Sequence, residues 1–206
     1  MKKSIFMLFA ILLTSVAYTQ ENTPKPESGF SGNAKLGYAK LIQSEMVNLN
    51  GTVNSGDLLF FYRFPGGTHL STGIGMLDFN ANGVTAGESF ALEQSYLRIP
   101  LYLNYSLTIF KEQLDNKLSA YGGMGVYANT LLKEEVQTLS ETFKNKNQGW
   151  NGGFGFNVGM RFGVTENFNF GIGFESQSDF SKMKKNGVDR KLEGINTVHF
   201  TLEFKL

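Results

Sequence analysis

The stretch YLRIPLYLNYSL, residues 96–107, carries the clearest structural signal in the chain. Every second residue from Leu97 to Leu107 is bulky and apolar or aromatic, and most of the residues between them are polar. An alternation with a period of two places the two sets on opposite faces of an extended chain. The stretch therefore predicts a β-strand with an apolar face and a more polar face.

The same alternation occurs in seven further segments. Together the eight predicted strands cover residues 30–38, 56–64, 68–78, 96–107, 118–131, 150–164, 168–175 and 198–206. The 24 Gly and 19 Phe among the 206 residues fit a sheet that alternates small and bulky positions. The chain has no Cys, which excludes disulfides, thiolate metal sites and a thiol nucleophile.

The connections between the strands alternate in length. Residues 65–67 and 165–167 are short links, whereas 132–149 and 177–194 are long and polar. Such a pattern is typical of an outer-membrane barrel, with turns on the periplasmic side and loops facing outward. The link at 108–117 is longer than a tight turn. The segment from Lys133 to Phe143 is compatible with a short helix.

The first residues predict an exported protein. Lys2 and Lys3 precede the apolar run Ile5–Leu13, and small residues follow, as in a secretory signal peptide. We predict three parts: a signal peptide at 1–19, a periplasmic leader at 20–28 and an outer-membrane β-barrel domain at 29–206. After cleavage, 17 basic and 18 acidic residues remain, a balance that gives no reason to expect nucleic acid as a partner.

The remaining chain has no apolar stretch long enough for a membrane-spanning helix, which needs about 20 residues. A membrane-spanning form must therefore be a closed barrel, because unpaired strand edges cannot face lipid. The interior of an eight-stranded barrel is just wide enough for side chains. The Phe and Leu rows are too bulky for it, so we expect them to face outer-membrane lipid while Gly, Asn and Ser fill the interior. The opposite orientation would make the protein a periplasmic carrier.

These features predict an all-β fold, an eight-stranded antiparallel up-and-down transmembrane β-barrel in the outer membrane. Insertion of such a barrel implies contact with the barrel-assembly machinery.

Several charged residues lie on the face predicted to point inward. Buried charges persist when they are paired and hydrogen-bonded. We therefore expect a polar network in the lumen that fixes the barrel shape, with a transport role as the alternative. Its members are Arg63, Arg98, Arg161, Glu175 and Glu203, with Lys205 on the same face.

Two further expectations concern the strands themselves. Aromatic residues near strand ends fit interfacial girdles, with scattered core aromatics as the alternative. They are Tyr38, Tyr62, Tyr105, Trp150 and Phe168. Pro100 removes a hydrogen-bond donor inside a strand that needs partners on both sides, which predicts a β-bulge at that position.

The segment Tyr96–Tyr105, with its Tyr-Leu-Arg-Ile-Pro-Leu sequence, resembles the outer-membrane β-barrel domain family of Bacteroidota, which includes the PorT-type small barrels. The glycine-rich segment Tyr121–Tyr127 is similar to the next strand of that family. The resemblance covers residues 29–206 and implies an outer-membrane location. One branch of the family serves the type IX secretion apparatus, which makes that role an expectation as well.

We find no phosphate loop, zinc spacing or nucleophile elbow, and therefore predict no catalytic, cofactor or metal site. His69 and Ser71 share one face of a strand, a spacing similar to that of small-barrel lipid A deacylases. No third group that would orient the histidine lies near in sequence. The sequence thus favours a barrel without an open pore, with a structural or surface-interaction role, contacting envelope proteins through 132–149 and 177–194. An accessory part of an envelope or type IX secretion complex is the alternative, and a lipid A-modifying enzyme is third.

Overall fold

The computed structural model describes residues 26–44, 48–85, 87–109, 118–146, 149–185 and 188–206. The predicted signal peptide and most of the predicted leader lie outside the described residues. Across the residues that are described, no helix has the length and apolarity needed to span a bilayer.

The described chain forms ten β-strands. They are β1 Glu27–Gln43, β2 Leu49–Arg63, β3 Thr68–Thr85, β4 Glu88–Thr108, β5 Leu118–Thr138, β6 Thr142–Lys146, β7 Trp150–Gly163, β8 Phe168–Asp179, β9 Met183–Lys185 and β10 Val188–Lys205. β1 begins at Glu27, so the last two residues of the predicted leader belong to the sheet.

Eight of the strands close into a ring in the order β1-β2-β3-β4-β5-β7-β8-β10, and β10 pairs back onto β1. Every pairing is antiparallel, and neighbours in the ring follow one another along the chain. The prediction of an all-β, eight-stranded, antiparallel up-and-down barrel is confirmed. β6 pairs with β5 and β9 pairs with β10, each outside the ring.

The strands are much longer than the sequence pattern predicted. β4 and β5 have 21 residues each, about twice the 9–11 that a membrane-spanning strand needs. The prediction of long loops at 132–149 and 177–194 is wrong over most of both segments. They hold the last residues of β5 and β8, the strands β6 and β9, and the start of β10.

The helix expected over Lys133–Phe143 is also wrong. Residues 133–137 lie in β5 and pair with β4 on one side and with β6 on the other. The Lys and Glu residues of this segment favour a helix locally, but hydrogen bonds to two neighbouring strands outweigh that preference.

The two ends of the barrel differ. At the turn end lie the tight turns at 64–67 and 164–167, together with the first residue of β1 and the last of β10. The other end of the barrel, beyond the middle of the strands, is called the extension. It consists of the described residues of 39–54, 77–96, 131–146 and 180–195.

Large apolar side chains cover the outside of the barrel between the turn end and the extension. This apolar belt includes Phe30, Leu36, Leu58, Phe60, Ile74, Ile99, Leu101, Met124, Phe154, Phe156, Phe170, Ile172, Phe200 and Leu202, all of them exposed. The predicted orientation, with the Phe and Leu rows outward, is confirmed here. An apolar exterior around a closed barrel is the arrangement that lipid requires.

In the extension the two faces exchange character. Along β3, Ile74 and Met76 point outward, but Leu77 and Phe79 are buried inside and Asp78 faces out. The same exchange occurs where β1, β2, β4 and β10 enter the extension. The outside of the extension is therefore mostly hydrophilic, as a surface in water should be, with Val84, Leu139 and Phe143 as exposed apolar exceptions.

The interior of the extension is an apolar cluster. Its members are Ala39, Leu41, Leu49, Val53, Leu77, Phe79, Ala81, Phe90, Leu92, Tyr96, Leu131, Met183, Leu192 and Ile195. The expectation of a lumen filled by Gly, Asn, Ser and charges is therefore wrong for this half. Towards the turn end, polar and charged side chains share the lumen with Leu59, Phe61 and Tyr102. Where water replaces lipid outside, the apolar residues find their burial inside.

The bulge predicted at Pro100 is absent. Against β3 the register is the same at Leu101 as at Arg98, and against β5 Pro100 pairs with Tyr127 without a shift. The register shift in β4 lies between Ser95 and Tyr96 instead. The hydroxyl of Thr72 donates a 2.8 Å hydrogen bond to the Pro100 carbonyl. β4 thus accommodates Pro100 through a local interruption of its pairing with β3, between Arg98 and Leu101.

Candidate functional site

The first polar cluster of the lumen lies near the turn end and centres on Glu203. Arg63 Nη2 is 2.9 Å and Arg161 Nε 3.1 Å from the oxygens of the Glu203 carboxylate. The amide of Asn169 donates a 2.7 Å hydrogen bond to the same carboxylate. Arg63 also lies 2.6 Å from Glu27. Three predicted lumen residues, Arg63, Arg161 and Glu203, thus form one ion-pair cluster.

The second cluster lies in the middle of the lumen. Lys35 Nζ contacts Asp57 at 2.6 Å and Glu175 at 2.8 Å, and all three side chains are buried. Tyr102 donates a 3.1 Å hydrogen bond to Glu175 and accepts one of 2.8 Å from Gln177. Glu175 therefore belongs to a different cluster from Glu203.

Arg98 connects this cluster to a third polar group. Its guanidinium donates to Gln177 and, at 2.8 Å, to Asn129, and it lies 4.3 Å from the ring centroid of Tyr127. Asp179 accepts hydrogen bonds from Tyr127 at 2.9 Å and from the backbone amide of Leu192 at 2.7 Å. The network extends from the middle of the lumen to the base of the apolar cluster.

Glycines on the lumen face make room for this network. A Cβ on Gly153 would lie 2.1 Å from the Tyr127 ring, and one on Gly155 would lie 2.5 Å from the Tyr102 hydroxyl. The GFGFNVG segment thus serves to seat two tyrosine rings across the lumen.

A fourth polar group lies inside the extension and was missed by the sequence analysis. Glu134 pairs with Arg190 and accepts a 2.6 Å hydrogen bond from Gln94 and a 3.0 Å one from Asn145. Lys35, Asp57 and Asp179 were missed as well. Lys35 could have been predicted, because it alternates with the outward residues of its strand and so falls on the inward face. Glu134 and Arg190 could not, because they lie in segments predicted to be loops.

Among the described residues, no hydrogen bond joins His69 to Ser71. Both are buried and face the lumen. Ser71 Oγ accepts a long 3.5 Å hydrogen bond from Asn104, and Nδ1 of His69 has no hydrogen-bond partner among the described residues. Among all the described residues, no group of three or more His, Cys, Asp or Glu side chains could hold a metal ion.

The predicted girdle residues lie at both borders of the apolar belt. Tyr62, Tyr105 and Phe168 lie towards the turn end, and Tyr38 and Trp150 lie next to the extension. All except the half-buried Phe168 are exposed.

The wall of the barrel divides in the extension. Pairing between β7 and β8 ends at Gly153 and Asp179, and above it β6 and β9 have no pairing with each other in the described chain. Ser181 closes the base of this split: its hydroxyl accepts a 2.7 Å hydrogen bond from the Gly152 amide, and its own amide donates to the Gly152 carbonyl at 3.2 Å.

On the outside of the extension, beside the split, Glu135 accepts contacts from two lysines. Lys133 Nζ lies 2.9 Å and Lys144 Nζ 3.4 Å from its carboxylate. The hydrogen bond from Lys133 lowers the pKa of Glu135, and the same bond raises the pKa of Lys133. Both shifts favour the charged forms of Glu135 and Lys133.

No family model and no curated protein matches the chain. Among solved structures, Neisserial surface protein A has 16% identity and a TM-score of 0.50, with 86% of this chain and 97% of that chain covered. The outer membrane protein OprG from Pseudomonas aeruginosa has 12% identity and a TM-score of 0.47, covering 89% of this chain and 97% of its own. Ail, the attachment invasion locus protein of Yersinia pestis, has 11% identity and a TM-score of 0.42, covering 89% and 100%. The likeness to Neisserial surface protein A shows that the chain has the fold of a small outer-membrane β-barrel.

Proposed function

We propose that this chain is an integral outer-membrane barrel that holds its extension outside the cell for a structural or surface-interaction role. The exchange of faces at the border of the extension carries this proposal. On the turn-end side of this border the exterior is apolar and suits lipid, and on the other side it suits water. The border therefore defines the depth of the protein in a membrane. Export through the predicted signal peptide at 1–19 belongs to the same proposal.

Side chains of the described residues fill the barrel interior, which supports a barrel without an open pore. The apolar cluster fills the lumen of the extension, and the ion pairs around Glu203 and Glu175 cross the lumen nearer the turn end. An eight-stranded barrel has an interior just wide enough for side chains, so packing of this kind leaves no water channel.

Cysteine labelling in cells tests the location and the orientation. Because the chain has no Cys, Glu93→Cys on the extension and Glu166→Cys in a turn each introduce a single thiol. A membrane-impermeant maleimide should label Glu93→Cys on intact cells, and Glu166→Cys after the outer membrane is permeabilised. A shift in gel mobility on boiling should accompany both. Labelling of Glu166→Cys on intact cells would contradict the orientation.

A second candidate is an accessory role in an envelope or type IX secretion complex. The resemblance of Tyr96–Tyr105 to the Bacteroidota family supports it. Purification from detergent-solubilised membranes tests it: secretion components that co-purify in stable amounts would favour this role, and their absence would leave the surface-interaction role.

A further inference from the structure

A hollow of about 600 Å³ opens on the outside of the extension, near the far ends of β3, β4 and β5. Its floor is formed by the small side chains of Ser89 and Ala91 on β4. Larger side chains of β3 and of the end of β5 rise on either side of that floor. We call this hollow the tip groove and define it by Asn82, Val84, Ser89, Ala91, Gln137 and Leu139.

The two walls of the tip groove carry exposed apolar side chains. Val84 on β3 is 62% exposed, and Leu139, directly after the last residue of β5, is 91% exposed. Val84 lies roughly 25 Å along β3 from Met76 in the apolar belt, at about 3.3 Å per residue, so lipid of the surrounding membrane does not reach it. Apolar side chains grouped on a surface in water mark interaction sites.

The tip groove has an acidic rim. Residues 80–93 and 136–142 contain three Glu and no Lys, Arg or His. Glu88 and Glu141 are exposed, and neither forms an ion pair within the described chain. Glu93 interacts with Lys133, which leaves Glu88 and Glu141 as the uncompensated charges. A rim of one sign favours a partner of the opposite sign.

We propose that the tip groove binds a partner protein whose surface presents an apolar side chain flanked by basic residues. The apolar side chain enters between Val84 and Leu139, and the basic residues lie against Glu88 and Glu141. An apolar anchor in a pocket with a polar rim is the arrangement that concentrates binding energy in protein interfaces. This inference rests on the proposed function, because it needs the extension to be accessible outside the cell.

Other occupants fit the tip groove less well. A pocket for a small molecule covers about 70–90% of its ligand, whereas the walls of this hollow are themselves exposed. The body of a larger partner would supply the missing cover. A second copy of the chain would bring two acidic rims together, and like charges across an interface are costly.

Peptide binding to the full mature chain in lipid nanodiscs tests the proposal. The probe is a fluorescent cyclic peptide that presents two leucines between two pairs of arginines. One control peptide has alanine in place of leucine, and another has glutamate in place of arginine. Fluorescence anisotropy should report binding of the probe alone, with an affinity that falls as salt is added.

Truncation of a wall tests the apolar contact. Leu139→Ser should weaken binding of the probe by about tenfold or more, because the leucine of the probe loses an apolar side chain to pack against. The matched control is Phe143→Ser, which removes an exposed apolar side chain of the extension outside the groove. This control should leave binding unchanged.

Charge reversal tests the rim. Glu141→Lys should weaken binding of the probe several-fold, reduce its dependence on salt and favour the peptide with glutamate. Glu166→Lys makes the same change of charge in the exposed turn at 164–167 and should have no effect.

Four results would overturn this assignment of the tip groove. They are equal binding of the peptide with alanine, equal loss in Leu139→Ser and Phe143→Ser, no binding of the probe, and dimers in detergent that Leu139→Ser abolishes, which would assign the groove to a second copy. In each case a barrel that still shifts on boiling and labels at Glu93→Cys leaves the proposed function intact. Loss of that labelling would instead refute the proposed function.

Discussion

Glu134 on β5 and Arg190 on β10 form a buried ion pair behind the split between β6 and β9. β5 is the neighbour of β6 and β10 is the neighbour of β9, so the pair joins the two sides of the divided wall from inside. Backbone hydrogen bonds hold the wall together elsewhere in the ring. Here, side chains do so.

Removing one member of this pair should loosen the extension. Arg190→Met leaves the Glu134 carboxylate buried beside an apolar cluster, which costs about 3–5 kcal/mol when a buried pair is broken. We expect faster hydrogen exchange at residues 133–137 and 188–192, with the membrane-spanning part unchanged. The double variant Glu134→Gln with Arg190→Met removes both charges and should restore much of the protection. Equal exchange in Arg190→Met and the unmodified chain would contradict a joining role.

The Glu203 cluster should stabilise the turn end of the barrel. Glu203→Ala leaves Arg63 and Arg161 facing each other without their shared carboxylate, a loss of about 3 kcal/mol or more. Urea unfolding in lipid vesicles, followed by the boiling-dependent gel shift, measures it. Glu166→Ala in the exposed turn at 164–167 is the control and should unfold like the unmodified chain.

The apolar belt and the outside of the extension should tolerate charge very differently. Leu101→Arg places a cation in the belt and should cost about 2–4 kcal/mol near the bilayer midplane. Asn82→Arg adds the same side chain to the outside of the extension and should cost little. The folded fraction in vesicles measures both. If both variants insert equally well, the depth assigned to the barrel is wrong.

The apolar cluster should contribute to stability although it lies beyond the membrane. Phe79 is fully buried in it, and Phe79→Ala should destabilise the extension by about 3–5 kcal/mol. Val84→Ala, on the exposed face of the same strand, should have a small effect. Protease sensitivity of the extension distinguishes the two, and equal sensitivity would argue against a packed interior.

The barrel should conduct no ions. The unmodified chain, reconstituted into planar bilayers, should produce no single-channel steps, because side chains fill the lumen at several levels. Reproducible steps from a preparation that shifts completely on boiling would contradict this prediction.

The sequence pattern predicted the class of fold and the outward rows well, and the extension poorly. The alternation at residues 97–107 indicates one assignment of faces, and the prediction applies that assignment to every strand. In β3 the apolar residues move from even positions up to Met76 to odd positions from Leu77, and this exchange is visible in the sequence. The predicted strands do not include it, because the polar outer residues of the extension resemble loop composition. The prediction of a loop at 132–149 fails for the same reason.

Alternation with a period of two determined from the sequence alone that the chain forms strands, and the bulk of the Phe and Leu rows determined which face turns outward. These properties follow from neighbouring residues and from the volume of an eight-stranded interior. The partners in the lumen depended on the tertiary structure. Lys35 meets Glu175 across 140 residues, and that contact requires ring closure and a defined register for every strand between them. The split beside β6 likewise arises because pairing between β7 and β8 stops at Gly153 and Asp179, a boundary set by three-dimensional packing.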